Sequence, residues 1–113
     1  MVGAVKDTEE YFAKLHDRFV PENAKGLNAT FQYELSGDGG GEWFADIKDG
    51  VLETVSTGRT EKPTLTIKMD AKHFIDMANG DLDGTKAFMT RKLKVKGNVA
   101  MAQKMKKFLP PAK

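Results

Sequence analysis

The chain has no cysteine, which excludes a disulfide framework, a thiolate metal site and a cysteine nucleophile. It has two histidines, His16 and His73. There is no His-x-x-x-His pair and no Gly-x-Ser-x-Gly elbow to build a catalytic or metal centre on. No apolar run approaches the roughly 20 residues that a membrane span needs. Lys6, Asp7, Glu9 and Glu10 interrupt the start before a signal-peptide core can form. The chain ends Pro111-Ala112-Lys113, which is not the Ser-Lys-Leu peroxisomal address. Together these absences lead to the expectation of a cytoplasmic protein without cofactor or metal.

What is present suits one globular domain spanning residues 1–113. A chain of 113 residues, 40% apolar and 30% charged, can close one core but not comfortably two. Its net charge of +2 hides an asymmetry. Residues 1–57 carry 5 basic and 11 acidic side chains, and residues 58–113 carry 13 basic and 5 acidic. From Arg91 onward there are eight basic residues and no acid. A one-signed segment of this kind is either a solvated face or a surface for an anionic partner. It lacks the interleaved aromatics that would stack bases, so nucleic acid is not expected.

Periodicity orders the elements. Asp7 with Glu10 opens a helix carrying Tyr11, Phe12, Leu15 and Phe19, which Pro21 ends. Period-two alternation then predicts strands at Ala29–Ser36, around Trp43–Lys48 and at Val51–Thr57. Asp49-Gly50 joins the last two as a hairpin. A fourth strand carries Leu65, Ile67 and Met69. Asp70 caps a helix with Phe74, Ile75 and Met77, and Asp83 caps a second with Ala87, Phe88 and Met89. Leu93 and Val95 form a short fifth strand. Asn98 caps a final helix with Met101, Met105 and Phe108 on one stripe. The expected fold is α+β: a five-stranded, mainly antiparallel sheet with helices covering one face and enclosing a hydrophobic cavity.

Met77, Met89, Met101 and Met105, with Phe74, Phe88 and Phe108, fall on apolar faces of three helices. Methionine and aromatics either fill a core or line an adaptable pocket, and helical spacing alone favours the core. Trp43 has the same two readings. Gln32 and Tyr33 lie on opposite faces of the first strand; the simpler expectation is a solvent-facing Gln32 and a packed Tyr33. His73 and Asp76 are three apart on a helix, but no nucleophile accompanies them, so both histidines read as surface residues. The Gly39–Gly41 run precedes a strand and lacks Gly-Lys-Ser/Thr, which makes it a hairpin loop.

Four segments in order resemble the sterol carrier protein type-2 family. They are GLNATFQYELSGDGGGEW (26–43), ADIKDGVLETV (45–55), PTLTIKMDAKHFIDMANGDLD (63–83) and KAFMTRKLKVKGNVAMAQKM (86–105). The last resembles the family's Phe-Met, basic strand, Lys-Gly-Asn and Ala/Met-rich helix. One departure is Arg91, where the family usually has Gly; a left-handed arginine there would cost about 1–2 kcal/mol. The resemblance implies a hydrophobic tunnel that binds and transfers fatty acids, fatty acyl-CoA, sterols or phospholipids, with no catalytic apparatus. It turns the strand residues Phe31, Tyr33, Trp43 and Ile47 into expected ligand contacts. It does the same for Phe74, Met77, Phe88 and Met89, and for Met101, Met105 and Phe108 on the last helix. Lys104, Lys106 and Lys107 are expected to meet an anionic head group or, transiently, an anionic membrane. The alternative is an accessory domain or small enzyme using the cavity for acyl-CoA, steroid or polyketide chemistry.

Overall fold

The computed structural model describes residues 4–111. Lys113 of the basic segment, with Ala112 beside it, lies outside the described residues.

The amino-terminal helix is shorter than its periodicity suggests. It runs as α1 (Thr8–Ala13) and α2 (Leu15–Arg18), separated at Lys14, whose φ −107° and ψ 15° leave the helical region. Leu15, just past the break, is fully buried in the core. The cap is as expected: Asp7 Oδ1 accepts from Glu10 N–H at 2.8 Å, and Glu10 Oε1 accepts from Lys6 N–H at 2.8 Å. Pro21–Asn23 forms a single 3-10 turn.

The strands are β1 (Ala29–Ser36), β2 (Gly41–Lys48), β3 (Val51–Thr57), β4 (Leu65–Asp70) and β5 (Leu93–Gly97). Their spatial order is β3-β2-β1-β4-β5. All neighbours are antiparallel except the central β1–β4 pair, which is parallel, with Tyr33 opposite Ile67. The β2–β3 hairpin turns on Asp49 (φ 50°) and Gly50 (φ 76°), the two positive φ values of a type I′ turn. Any Cβ at Gly50 would lie 2.8 Å from the Ala24 carbonyl oxygen.

Odd-numbered β1 and β4 residues face the helices: Phe31, Tyr33, Leu35, Leu65, Ile67 and Met69 are all buried. The opposite face carries a charged lattice in which Arg59 bridges Glu34 and Glu42, with Lys68 beside Glu34 at 3.6 Å. Gln32 departs from the expected solvent-facing position. It is buried beneath the loop after β3. Its Nε2 donates to the Trp43 and Gly58 carbonyls at 3.0 and 3.1 Å, and its Oε1 accepts from Thr60 N–H at 2.8 Å. Those bonds offset the cost of burying an amide and pin that loop across the sheet.

The remaining helices are α3 (Ala71–Ala78), α4 (Gly84–Met89) and α5 (Val99–Phe108). Each has its expected side-chain cap: Asp70 on Lys72 N–H, Asp83 on Lys86 N–H and Asn98 on Met101 N–H. Arg91 takes φ 62°, so the left-handed turn survives without glycine. At Gly97, of the Lys-Gly-Asn sequence, a Cβ would lie 2.6 Å from the Thr64 carbonyl oxygen. Among the described residues no helix is long and apolar enough to cross a membrane.

Candidate functional site

Between the helix-facing side of the sheet and α3, α4 and α5 lies a cleft of about 640 Å³. Its floor is Tyr33 of β1, Ile67 of β4, and Leu93 and Val95 of β5. Phe74 and Met77 of α3 form one wall, and Ala102 and Met105 of α5 another. The rim is Phe88 of α4 and Val99 of α5, which are 46% and 40% exposed. Tyr11 of α1 and Arg18 of α2 border the same space.

Hydrogen bonds hold α5 at its ends, while Met101, Ala102 and Met105 along its middle pack half-buried against the core. The Asn98 N–H donates to the Thr64 carbonyl at 3.1 Å at one end. At the other, Val20 N–H donates to the Phe108 carbonyl (2.8 Å), and Asn23 Nδ2 donates to the Lys107 carbonyl (2.7 Å). Arg18 Nη1 donates to the carbonyls of Ala78 (3.0 Å) and Pro110 (2.8 Å), tying the end of α3 to the chain beyond α5. Its guanidinium also lies over the Tyr11 ring, 5.0 Å from the centroid. Within α5 only Phe108 is buried. The middle of the helix spans the cleft.

Five of the expected ligand contacts line this space: Tyr33, Phe74, Met77, Phe88 and Met105. Phe31 and Ile47 lie in the closed core instead, both with no exposed surface. Phe108 stacks on Phe31 at 6.0 Å and seals the end of α5 against the sheet. Trp43 stacks on Phe12 at 4.6 Å, away from the cleft lining. Met101 packs partly buried against the core. Met89 is 75% exposed. Ala87, Phe88 and Met89 are consecutive in one short helix, where each step turns about 100°, so burying Ala87 and leaving Phe88 at the rim sends Met89 to solvent. Lys104, Lys106 and Lys107 are all exposed, and Lys106 borders the cleft.

Tyr11 and Arg18 were not anticipated from the sequence. Tyr11, Leu15 and Arg18 stand at i, i+4 and i+7, one helical face, and all three are buried. That spacing is the signal that could have placed Arg18 inward. Burial pushes the Tyr11 hydroxyl pKa up to about 12 against a smaller downward pull from Arg18. Burial, then Tyr11 itself, raise that of Tyr33 well above the usual 10. Both stay protonated hydrogen-bond donors at neutral pH.

Neither histidine reaches the cleft lining. His16 is exposed, with Nε2 3.1 Å from the Leu52 carbonyl oxygen. His73 borders a shallow, charge-lined hollow with Glu34, Asp70 and Arg91. Among the described residues no three His, Cys, Asp or Glu side chains gather to hold a metal.

With this geometry in place, likeness to known proteins is specific. The family model described as SCP-2 sterol transfer family matches residues 9–110. Hydroxysteroid dehydrogenase-like protein 2 of Rattus norvegicus is 36% identical over 107 residues, 95% of this chain and 20% of that protein. The chain thus spans about a fifth of the length of that curated relative. Palmitated SCP2L2 from Aedes aegypti has the same fold, with a TM-score of 0.73 and 18% identity over 90% of this chain and 93% of that one. The sec-alkylsulfatase Pisa1 from Pseudomonas sp. superposes with a TM-score of 0.77 and 22% identity, over 88% of this chain and 16% of that one.

Proposed function

The chain belongs to the SCP-2 sterol transfer family, and on that premise we propose that it binds one lipid in the cleft and passes it on chemically unchanged. The observation that carries the reading is the lining: Ile67, Phe74, Met77, Val95 and Met105 turn apolar atoms toward a space of about 640 Å³, within the range of small-molecule sites. Each buried methylene of a ligand contributes about 0.8 kcal/mol. Flexible methionines let one wall adapt to different chains. The palmitated Aedes aegypti neighbour supports long-chain fatty acids as one ligand class; sterols, phospholipids and acyl-CoA are the others. The non-catalytic part is supported by a lining that brings no histidine beside a nucleophile. Exposed Lys104, Lys106 and Lys107 on α5, of which Lys106 borders the cleft, suit brief contact with an anionic membrane.

Titration with a fluorescent long-chain fatty acid should saturate near one ligand per chain. Met105→Trp, which fills the cleft, should weaken binding at least about tenfold with the fold retained by circular dichroism. An intact protein that binds no lipid at micromolar concentration would remove the carrier reading.

A second reading has one observation behind it. The matched segment makes up 20% of a protein named for dehydrogenase likeness and 16% of a sulfatase. In this reading the domain serves as the lipid-holding accessory of an enzyme for acyl-CoA, steroid or polyketide chemistry. Turnover by the isolated chain, abolished by His16→Ala or His73→Ala, would instead make it an enzyme itself.

A further inference from the structure

Two buried side-chain polar atoms among the described residues have no hydrogen-bond partner in the protein: Thr8 Oγ1 and the Tyr33 hydroxyl. Thr8 stands in the first turn of α1, outside the cleft lining. Tyr33 stands in the cleft, on the central strand β1, and its residue is 1% exposed. Its ring is fixed by edge-on contacts with Phe12 at 5.0 Å and Phe74 at 5.7 Å. The hydroxyl therefore cannot swing out to solvent. Native folds rarely leave such a group unsatisfied, and each instance calls for a reason. Two other buried polar side chains, Arg18 and Gln32, are already paired. Arg18 Nη1 serves two carbonyls, and Gln32, on the opposite face, serves the loop after β3. Ile67 and Val95 on the floor offer it nothing to bind, and the Tyr11 hydroxyl, close enough to act on it electrostatically, makes no hydrogen bond with it.

We propose that the Tyr33 hydroxyl, covered by its neighbours in the ligand-free protein, is uncovered as a lipid enters and is then the hydrogen-bond anchor for its polar end, which lies inward on the floor of the cleft. This inference rests on the lipid-binding reading and narrows it. A ligand seated this way must end in a small oxygen group, such as a free carboxylate or a hydroxyl. A bulky coenzyme A thioester cannot bring its polar end to the floor of a cleft of about 640 Å³. Burial keeps Tyr33 protonated, so it donates to a carboxylate, carbonyl or hydroxyl oxygen at any pH near neutral. Tyr11 completes the polar corner: both tyrosines pack edge-on against Phe74.

The test compares hexadecanoic acid, 1-hexadecanol and hexadecane as competitors that displace diphenylhexatriene from wild-type protein and from Tyr33→Phe. The probe is a pure hydrocarbon, so its own binding does not depend on the hydroxyl. Tyr33→Phe should weaken the acid and the alcohol by about tenfold and change hexadecane less than about twofold. The thermal midpoint of the ligand-free variant should be unchanged or higher, because an unsatisfied buried hydroxyl has gone. Equal losses for all three competitors, or no loss for any, would overturn the anchor while leaving lipid binding standing. A clear fall in the ligand-free thermal midpoint would overturn it too, by showing that the hydroxyl has a partner within the fold. Failure of wild-type protein to bind any of the three would sink the carrier reading itself.

Discussion

On the β1–β2 side of the sheet, the helix meets the strands ring against ring. Phe12 of α1 stacks on Trp43 and meets Tyr33 edge-on at 5.0 Å, and Leu15, Ala45 and Ile47 are fully buried in the same core. On the β4–β5 side, similar residues are left apart. Leu93 and Val95 are half-buried, α4 buries only Ala87, and α5 buries only Phe108. The two sides draw on the same apolar chemistry; what separates them is the gap between helix and sheet. Where the gap closes, apolar surface stabilises the fold. Where α4 and α5 stand off from the sheet, the same kind of surface borders the cleft.

The comparison breaks most decisively at Phe12. Truncation there leaves a cavity among Tyr11, Tyr33, Trp43 and Phe74. Phe12→Ala should therefore cost about 3–5 kcal/mol in a urea titration. Met105→Ala on the open side removes a half-buried chain from a cleft wall and should cost below about 2 kcal/mol. Equal losses would mean that the cleft is as tightly packed as the core.

Alkaline unfolding sharpens the boundary between the two sides, where Tyr11 and Tyr33 both pack on Phe74. Their folded pKa values are raised, Tyr11 to about 12 and Tyr33 well above 10. In the unfolded chain both ionise near 10. Above that pH the unfolded chain binds fewer protons than the folded one, so stability falls as pH rises. The contribution is fully present below pH of about 10 and is lost from there toward about 12 and beyond. The slope is at most about 1.4 kcal/mol per pH unit for each tyrosine. Urea midpoints measured from pH 9 upward should decline, and Tyr11→Phe or Tyr33→Phe should each flatten the decline. An unchanged slope in both variants would mean that neither hydroxyl is sealed from water.

Much of the element order on both sides could be read from sequence because its signals are local. Asp7, Asp70, Asp83 and Asn98 each cap the helix that follows, and Asp49-Gly50 makes its turn with two positive φ values. Period-two alternation assigned the buried face of β1 and β4. The exceptions depend on distant chain segments. Gln32 is buried because a loop some 26 residues away folds over it. Trp43 is committed to Phe12 by the placement of α1. For the cleft, periodicity tells which face of a helix is apolar but not how far that face stands from the sheet. Met105 and Phe108 share one stripe of α5, yet Phe108 seals the core while Met105 lines the cleft. Which of them meets the sheet depends on how α5 is placed by contacts distant in sequence, such as Val20 N–H to the Phe108 carbonyl.

The smallest expected effect concerns charge at the open side. Lys104, Lys106 and Lys107 project from α5, Lys94 and Lys96 from β5, and Lys92 from the residue just before it, all exposed. The closed side has its own exposed lysines, Lys25 and Lys48, neither of which lines the cleft. A lysine near an anionic surface contributes about 1 kcal/mol, and its field fades beyond about 10 Å at 0.1 M salt. Changing Lys104, Lys106 and Lys107 together to Gln should therefore leave the affinity for a neutral lipid unchanged and slow its transfer to anionic vesicles at low salt. The difference should vanish in about 1 M salt, where the Debye length is about 3 Å. Lys25→Gln with Lys48→Gln is the control from the closed side and should transfer at the wild-type rate. If the triple variant matched wild type in low salt, or if the control slowed equally, the basic segment would be a solvated face with no part in delivery. A selective loss would give the two sides of the sheet separate work: one holds the fold, and the other meets both the ligand and the surface it comes from.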